Sequence, residues 1–167
     1  PSQPEALVQA DIQENNNTIR VFTTHLQSQR FDKLDYARMQ KIKSREDSLV
    51  YHSIPIVAKL KRGIVIRSIQ ADIIGEVRSN SPYPVLFTGD LNDVPNSYTY
   101  FKVRGELRDA FLEKGYGLGR TFRGLSPTLR FDYIFSDSRF SVAQFKREKK
   151  NYSDHYMLVA DLQLNNP

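Results

Sequence analysis

"LFTGDLNDVP", Leu86 to Pro95, is the stretch on which the fold turns. An apolar run, Val85 to Phe87, stops at Gly89; Asp90, Asn92 and Asp93 follow before Pro95. A short apolar run without alternation reads as a strand covered on both faces. Asp90 and Asn92 are two residues apart, so on an extended chain they point the same way. They sit just past the C-terminal end of the strand, where α/β sheets place ligand sites. Gly, Asp and Asn are also turn formers, and turn chemistry accounts for Gly89 and Asp93. It does not require Asp90 and Asn92 to share a side. A carboxylate can orient a water or hold a metal, and an amide can donate to an anionic oxygen.

Upstream, "ALVQADIQE" and "TIRVFTTHL" flank Asn15, Asn16 and Asn17. Two β-rich runs around residues that tolerate a left-handed backbone read as a hairpin. Phe31 to about Val50 is helical in composition. Ile56 to Arg78 continues as a helix, with Ile66, Ile69, Ile73 and Val77 as the stripe expected to pack on a sheet. "SNSPYP" is a loop. After the central strand, Asp93 or Asn96 is expected to cap a short helix through Tyr100. "LRDAFLEKG" reads as another short helix, closed by Gly115. "LRFDYIF", "FSVAQFK" and "HYMLVADLQL" read as three closing strands. The order predicts an α/β sandwich, helices on a mostly antiparallel or mixed sheet.

The 167 residues suffice for one domain with a hydrophobic core. Apolar residues are 40% and charged residues 26%, ordinary for a globular chain. No apolar run reaches the roughly 18 residues a membrane-spanning helix needs. There is no cysteine, which excludes disulfides and thiolate chemistry. The net charge of +5 favours anionic partners mildly.

Three further motifs carry polar residues where strands are expected. "TTHL" puts His25 at the end of the second strand; a histidine there serves equally as a hydrogen-bonded edge residue. "RFDYIF" buries Asp132 in an apolar strand, a cost that demands a partner: a salt bridge, or a histidine whose tautomer it fixes. "NYSDHY" sets Asp154 and His155 side by side before the last strand, facing opposite ways and so serving different partners. "KREKK", Lys146 to Lys150, reads as a solvated hairpin tip that could touch a phosphate backbone. His52, placed in a loop between the helical segments, is given no role.

Taken in order, strand-"THL", strand-"GDLN", strand-"DYI" and "SDH" resemble the endonuclease/exonuclease/phosphatase family, the DNase I-like metal-dependent phosphodiesterases. The resemblance runs from about Leu7 to Leu164 and is closest to bacterial members of the Bacteroidetes type. It implies one half of a DNase I-like four-layer α/β sandwich. It also implies roles. His25 contacts phosphate as a general acid, Asp90 activates the attacking water, and Asn92 binds a phosphate oxygen. Asp132 orients His155, His155 stabilises the pentacoordinate transition state, and Asp154 and Asp90 face the metal, Mg²⁺ or Mn²⁺.

The family's first half carries a strand-end asparagine and a glutamate that is the principal metal ligand. Neither has a match here; Glu5 and Glu14 lie in or near the first hairpin. The expectation is therefore one partial domain over residues 1–167, binding Mg²⁺ poorly and weak or inactive as it stands. Its sheet face toward the absent half should be apolar and open to a homodimer. The implied substrate is a phosphate ester: nucleic acid, a phospholipid head group or a small phosphorylated molecule. Competing readings are a non-catalytic relative that binds phosphate ligands or proteins on the same scaffold, and a basic nucleic-acid-binding domain. Location stays open between the cytoplasm and a membrane-anchored or periplasmic site.

Overall fold

The computed structural model describes residues 7–29, 31–43, 49–124 and 128–165. The elements run β1 (Val8–Glu14), β2 (Asn17–His25), α1 (Lys33–Lys43), α2 (Leu49–Ser79), β3 (Val85–Asp90), α3 (Tyr98–Arg104), β4 (Arg108–Asp109), α4 (Ala110–Lys114), β5 (Asp132–Ser136), β6 (Phe140–Glu148) and β7 (Met157–Leu164). The first sheet has five strands in the order β1-β2-β3-β5-β4, and β6 and β7 form a separate ribbon. Among the described residues, only β2 and β3 pair in parallel, and the other strand pairings are antiparallel. The mixed, mostly antiparallel sheet with helices expected from the sequence is therefore present.

The hairpin of β1 and β2 turns at Asn15, whose φ of 55° is the left-handed conformation asparagine tolerates. The helical stretch divides. Residues 44–48, part of the first predicted helix, lie outside the described residues, and α2 starts at Leu49, earlier than predicted. His52 consequently falls within α2, not in a loop.

One row of aromatics anchors the sheet. Phe22, Phe87 and Phe135 are register partners across β2, β3 and β5, and none is exposed. Ring centroids are 6.5 Å and 6.0 Å apart along that row. Burying such a side chain stabilises by about 1.5–3 kcal/mol each. Ala71 and Ile74 of α2, Tyr100 and Val103 of α3, and Tyr133 pack in the same core, with Leu26, Val85, Leu91 and Leu107.

The face of α2 that packs is not the predicted one. Ile69, Ile73 and Val77 are 58%, 57% and 38% exposed, while Ile74 is 4% exposed and Ala71 is fully buried. The buried set, which includes Gly63, Arg67, Ala71 and Ile74, has the same spacing and lies about 100° further round the helix, so docking against the sheet and not periodicity selects it.

Two turn assignments also change. Gly89 lies inside β3, where a Cβ would come within 2.3 Å of the Thr24 carbonyl oxygen. Close approach of strands, not turn formation, requires glycine there. Ser97, rather than Asp93 or Asn96, caps α3: its Oγ accepts the Tyr100 N–H at 3.1 Å. Asp93 instead receives Nε of the buried Arg67 at 3.1 Å.

Nor is β3 covered on both faces. Its far side, with Leu86 and Thr88 beside Val21, Thr23 and Ile134, is half-open toward Tyr156, Met157 and Leu158. Two of those five residues are threonines, so this face is less apolar than expected. Among the described residues, no helix is long and apolar enough to cross a membrane.

Candidate active site

Three residues beyond the aromatic row lies a second row. His25 pairs in register with Asp90, and Asp90 with Asp132. Three is odd, so this row points to the face opposite the phenylalanines. Strand pairing alone thus places an imidazole and two carboxylates side by side at the strand ends. His155 closes the group from the chain leading into β7. Its Nδ1 bonds Asp132 Oδ2 at 2.7 Å, and its Nε2 lies 3.8 Å from Asp90 Oδ2. His25 Nε2 lies 3.6 Å from the same oxygen. One Asp90 oxygen therefore stands between two imidazoles.

The loop after β3 sets Asn92. Its N–H donates to Asp90 Oδ1 at 2.7 Å, and its φ of 49° is left-handed. Turn chemistry and site geometry coincide here: the Asx turn swings the amide back toward the sheet, and an extended chain does not. Asn92 Nδ2 donates to the Leu26 carbonyl at 3.0 Å and sits 3.2 Å from His25 Nε2. Asp154 lines a cavity shared with His25, Asp90, Asn92 and His155 but lies outside the Asp90–Asp132–His155 cluster, and its Oδ1 accepts from Ser153 at 3.2 Å.

Several supporting residues carried no signal in the sequence. Fully buried Thr121 accepts the N–H groups of Phe131 and Asp132 on its Oγ1, at 2.9 Å and 3.2 Å, and fixes the entry to β5. Tyr156 N–H donates to the Thr121 carbonyl and Arg123 N–H to the Asp154 carbonyl, both at 2.8 Å, which locks His155 opposite Phe122. Arg67 and Tyr133 grip Asp93, next to Asn92: Tyr133 Oη donates to its carbonyl at 2.8 Å. These are lone polar residues whose partners lie far along the chain.

The electrostatics follow from placement. Burial first, and the Asp132 charge second, push the Asp90 carboxyl up to about 6. The Asp132 hydrogen bond raises His155 above its ordinary value against the opposing effect of burial. Among the described residues, no lysine or arginine pairs with Asp90 or Asp132.

Asp90, Asp132 and His155 each offer a ligand atom, all within 4.8 Å of one another. This Asp–Asp–His group fits a divalent cation: two carboxylates with no lysine or arginine partner among the described residues are a hard oxygen donor pair. The imidazole would offer Nε2, since Asp132 engages its Nδ1.

An α/β sandwich with paired carboxylates and histidines at its strand ends is the class of DNase I-like hydrolases. The sequence itself matches the Endonuclease/Exonuclease/phosphatase family over residues 24–155, and the chain belongs to that family. Its members hydrolyse phosphoesters and generally depend on divalent metals. No curated protein matches the chain in a sequence comparison. Among solved structures, the humanized D. rerio TDP2 bearing 14 mutations superposes with a TM-score of 0.63 at 16% identity, over 95% of this chain and 61% of that one. The human Nocturnin catalytic domain gives 0.60 at 14% identity, over 98% and 54%. The endonuclease/exonuclease/phosphatase from Beutenbergia cavernae gives 0.59 at 19%, over 96% and 40%. The chain thus spans roughly half the length of these relatives, and the likeness is one of fold.

Proposed function

We propose that this chain carries the phosphoryl-transfer residues of a divalent-metal-dependent phosphoesterase. The observation that supports this most is the registered row His25–Asp90–Asp132, closed by the bond between Asp132 and His155. Asp90 orients the attacking water and accepts its proton, a role suited to a carboxyl near 6. Asn92 donates to a non-bridging phosphate oxygen. His155, held charged by Asp132, stabilises negative charge on the phosphorane oxygens. His25, at the open end of the row, protonates the leaving oxygen.

Asp90 and Asp132 would hold the cation, Mg²⁺ or Mn²⁺, with Asp154 across the cavity as a further oxygen. When bound, such an ion neutralises phosphate charge. Two or three carboxylates are a sparse set for an octahedral ion, so binding and turnover by this chain alone are expected to be weak. We also propose that the half-open sheet face pairs with a second copy; light scattering that shows only monomer at high concentration would refute this.

The test of function is Mn²⁺-dependent hydrolysis of bis(4-nitrophenyl) phosphate at high protein concentration. Slow release is expected from the wild type, and its loss in folded Asp90→Ala and His155→Ala. Release that survives both changes would refute the roles of Asp90 and His155, and a wild type that binds phosphate without releasing nitrophenol favours a binding protein instead.

A further inference from the structure

The outer face of α2 carries a line of its own. Val65 and Ile69 each lie about 160° around the helix from buried Arg67, so both point away from the sheet. They are 51% and 58% exposed. Counted outward from them, positions 58, 62, 65, 69, 72 and 76 step by four and three in alternation, the spacing of a seam between two packed helices. These positions hold Ala58, Arg62, Val65, Ile69, Asp72 and Glu76, and all six are exposed. The line is apolar at its centre, basic toward one end and acidic at the other.

That line is complementary to itself. Turned end for end about position 67, it sets Val65 against Ile69, Arg62 against Asp72 and Ala58 against Glu76. Two identical chains related by a two-fold axis need this property, because residue i then contacts j while j contacts i. A parallel pairing in register would oppose Arg62 to Arg62 and Asp72 to Asp72. The charges are available for such a contact. Arg62 and Glu76 make no ion pair among the described residues. Asp72 accepts from the Tyr98 hydroxyl and lies 3.4 Å from Lys102 Nζ, so its carboxylate is held in place at the edge of the seam.

We propose that α2 pairs antiparallel with α2 of a second copy of this chain, burying Val65 and Ile69 at the centre and setting Arg62 against Asp72 of the partner subunit. The pairing uses the helical side of the sheet, opposite the half-open face, and is independent of the phosphoesterase reading. Exposed apolar side chains would also suit a lipid surface, but the charges decide against it: Asp72 and Glu76 stand on the same line, and anionic head groups repel them. From Ala58 to Glu76 the seam is about 27 Å long and about 10 Å wide. A contact of that size belongs with weak, transient interfaces, so the dissociation constant is expected at roughly 10–100 μM.

The experiment is sedimentation of the whole chain up to about 500 μM, several times the expected constant, with Arg62→Asp and Asp72→Arg measured alone and mixed. Each variant alone opposes like charges at both ends of the seam and should weaken association about tenfold or more. An equimolar mixture restores both ion pairs in a heterodimer and should recover association to within a few-fold of the wild type. Ile69→Glu should remove it while leaving the thermal midpoint unchanged, since that side chain points to solvent. A wild type that stays monomeric, association equal in both charge variants and the wild type, or a mixture no better than its components would overturn the inference. So would pairing that survives Ile69→Glu, which would belong to the sheet face. Co-sedimentation of a monomeric chain with phosphatidylglycerol vesicles, lost in Ile69→Glu, would give the line to a lipid surface and overturn it as well.

Discussion

Asp90→Asn should make the protein more stable at neutral pH, although it replaces the residue at the centre of the site. The Asp90 side chain is 14% exposed, faces Asp132, and pairs with no lysine or arginine among the described residues. Its carboxyl is raised from the ordinary 3.8 to about 6. An acid whose folded pKa lies above its unfolded value holds its proton more tightly in the native state. The stability linked to Asp90 is therefore fully present below about pH 3.8 and is lost as pH rises through 6. Roughly two units at 1.36 kcal/mol each give a native-state penalty of about 3 kcal/mol at pH 7.5. An asparagine has nearly the same shape, still accepts the Asn92 N–H, and carries no charge.

Urea unfolding of both proteins at pH 4.5, 6 and 7.5 reads this directly. The variant is expected to gain up to about 3 kcal/mol at pH 7.5 and about 1 kcal/mol at pH 4.5. Added Mg²⁺ should stabilise the wild type more than the variant, because a cation relieves the same repulsion. A variant that is less stable at pH 7.5, or a difference that does not change with pH, would refute the reasoning.

Three other outcomes test separate parts of the structure. Ile74→Ala should cost about 2–5 kcal/mol, while Ile73→Ala one residue away should cost less than about 1 kcal/mol; equal losses of urea midpoint would place the wrong face of α2 in the core. Asp132→Asn should lower the pKa of His155 in an NMR titration, since the carboxylate bond is the first cause of its rise; an unmoved titration would break the pair. The His155 contribution has the sign usual for a base, present below the unfolded value of 6.5 and lost as pH rises through the higher folded value. Gly89→Ala drives a methyl group against the Thr24 carbonyl and should destabilise by about 2 kcal/mol or more, read as a lowered thermal midpoint; a neutral effect would argue that β2 and β3 can part without cost.

What could be read from the sequence was what has a local signature. A hairpin at Asn15, a central strand ending in Gly–Asp, two later helices and three closing strands all announce themselves through turn formers and runs of β-branched and aromatic residues. The four ordered motifs carried the family, because each places a polar residue where a strand ends and polar groups there are costly without a purpose. The core face of α2 was misread for a different reason: periodicity names a stripe, and only docking against the sheet selects which stripe is buried. Gly89 and Asp93 were credited to a turn because the neighbours that matter to them, Thr24 and Arg67, lie 65 and 26 residues away in sequence.

By itself, then, the sequence determined the class of fold and the residue types at the site: His25, Asp90, Asn92, Asp132 and His155. Tertiary structure decided their geometry. Register across β2, β3 and β5 set three of them in one row, an Asx turn aimed Asn92 at His25, and a bond across 23 residues joined His155 to Asp132. It also decided what no motif encodes: that Asp132 rather than Asp154 joins Asp90 in the cluster, and that four aromatic rings wall the cavity beside it. Strand pairing and packing are relations between distant segments, so their consequences exist only once the chain has folded.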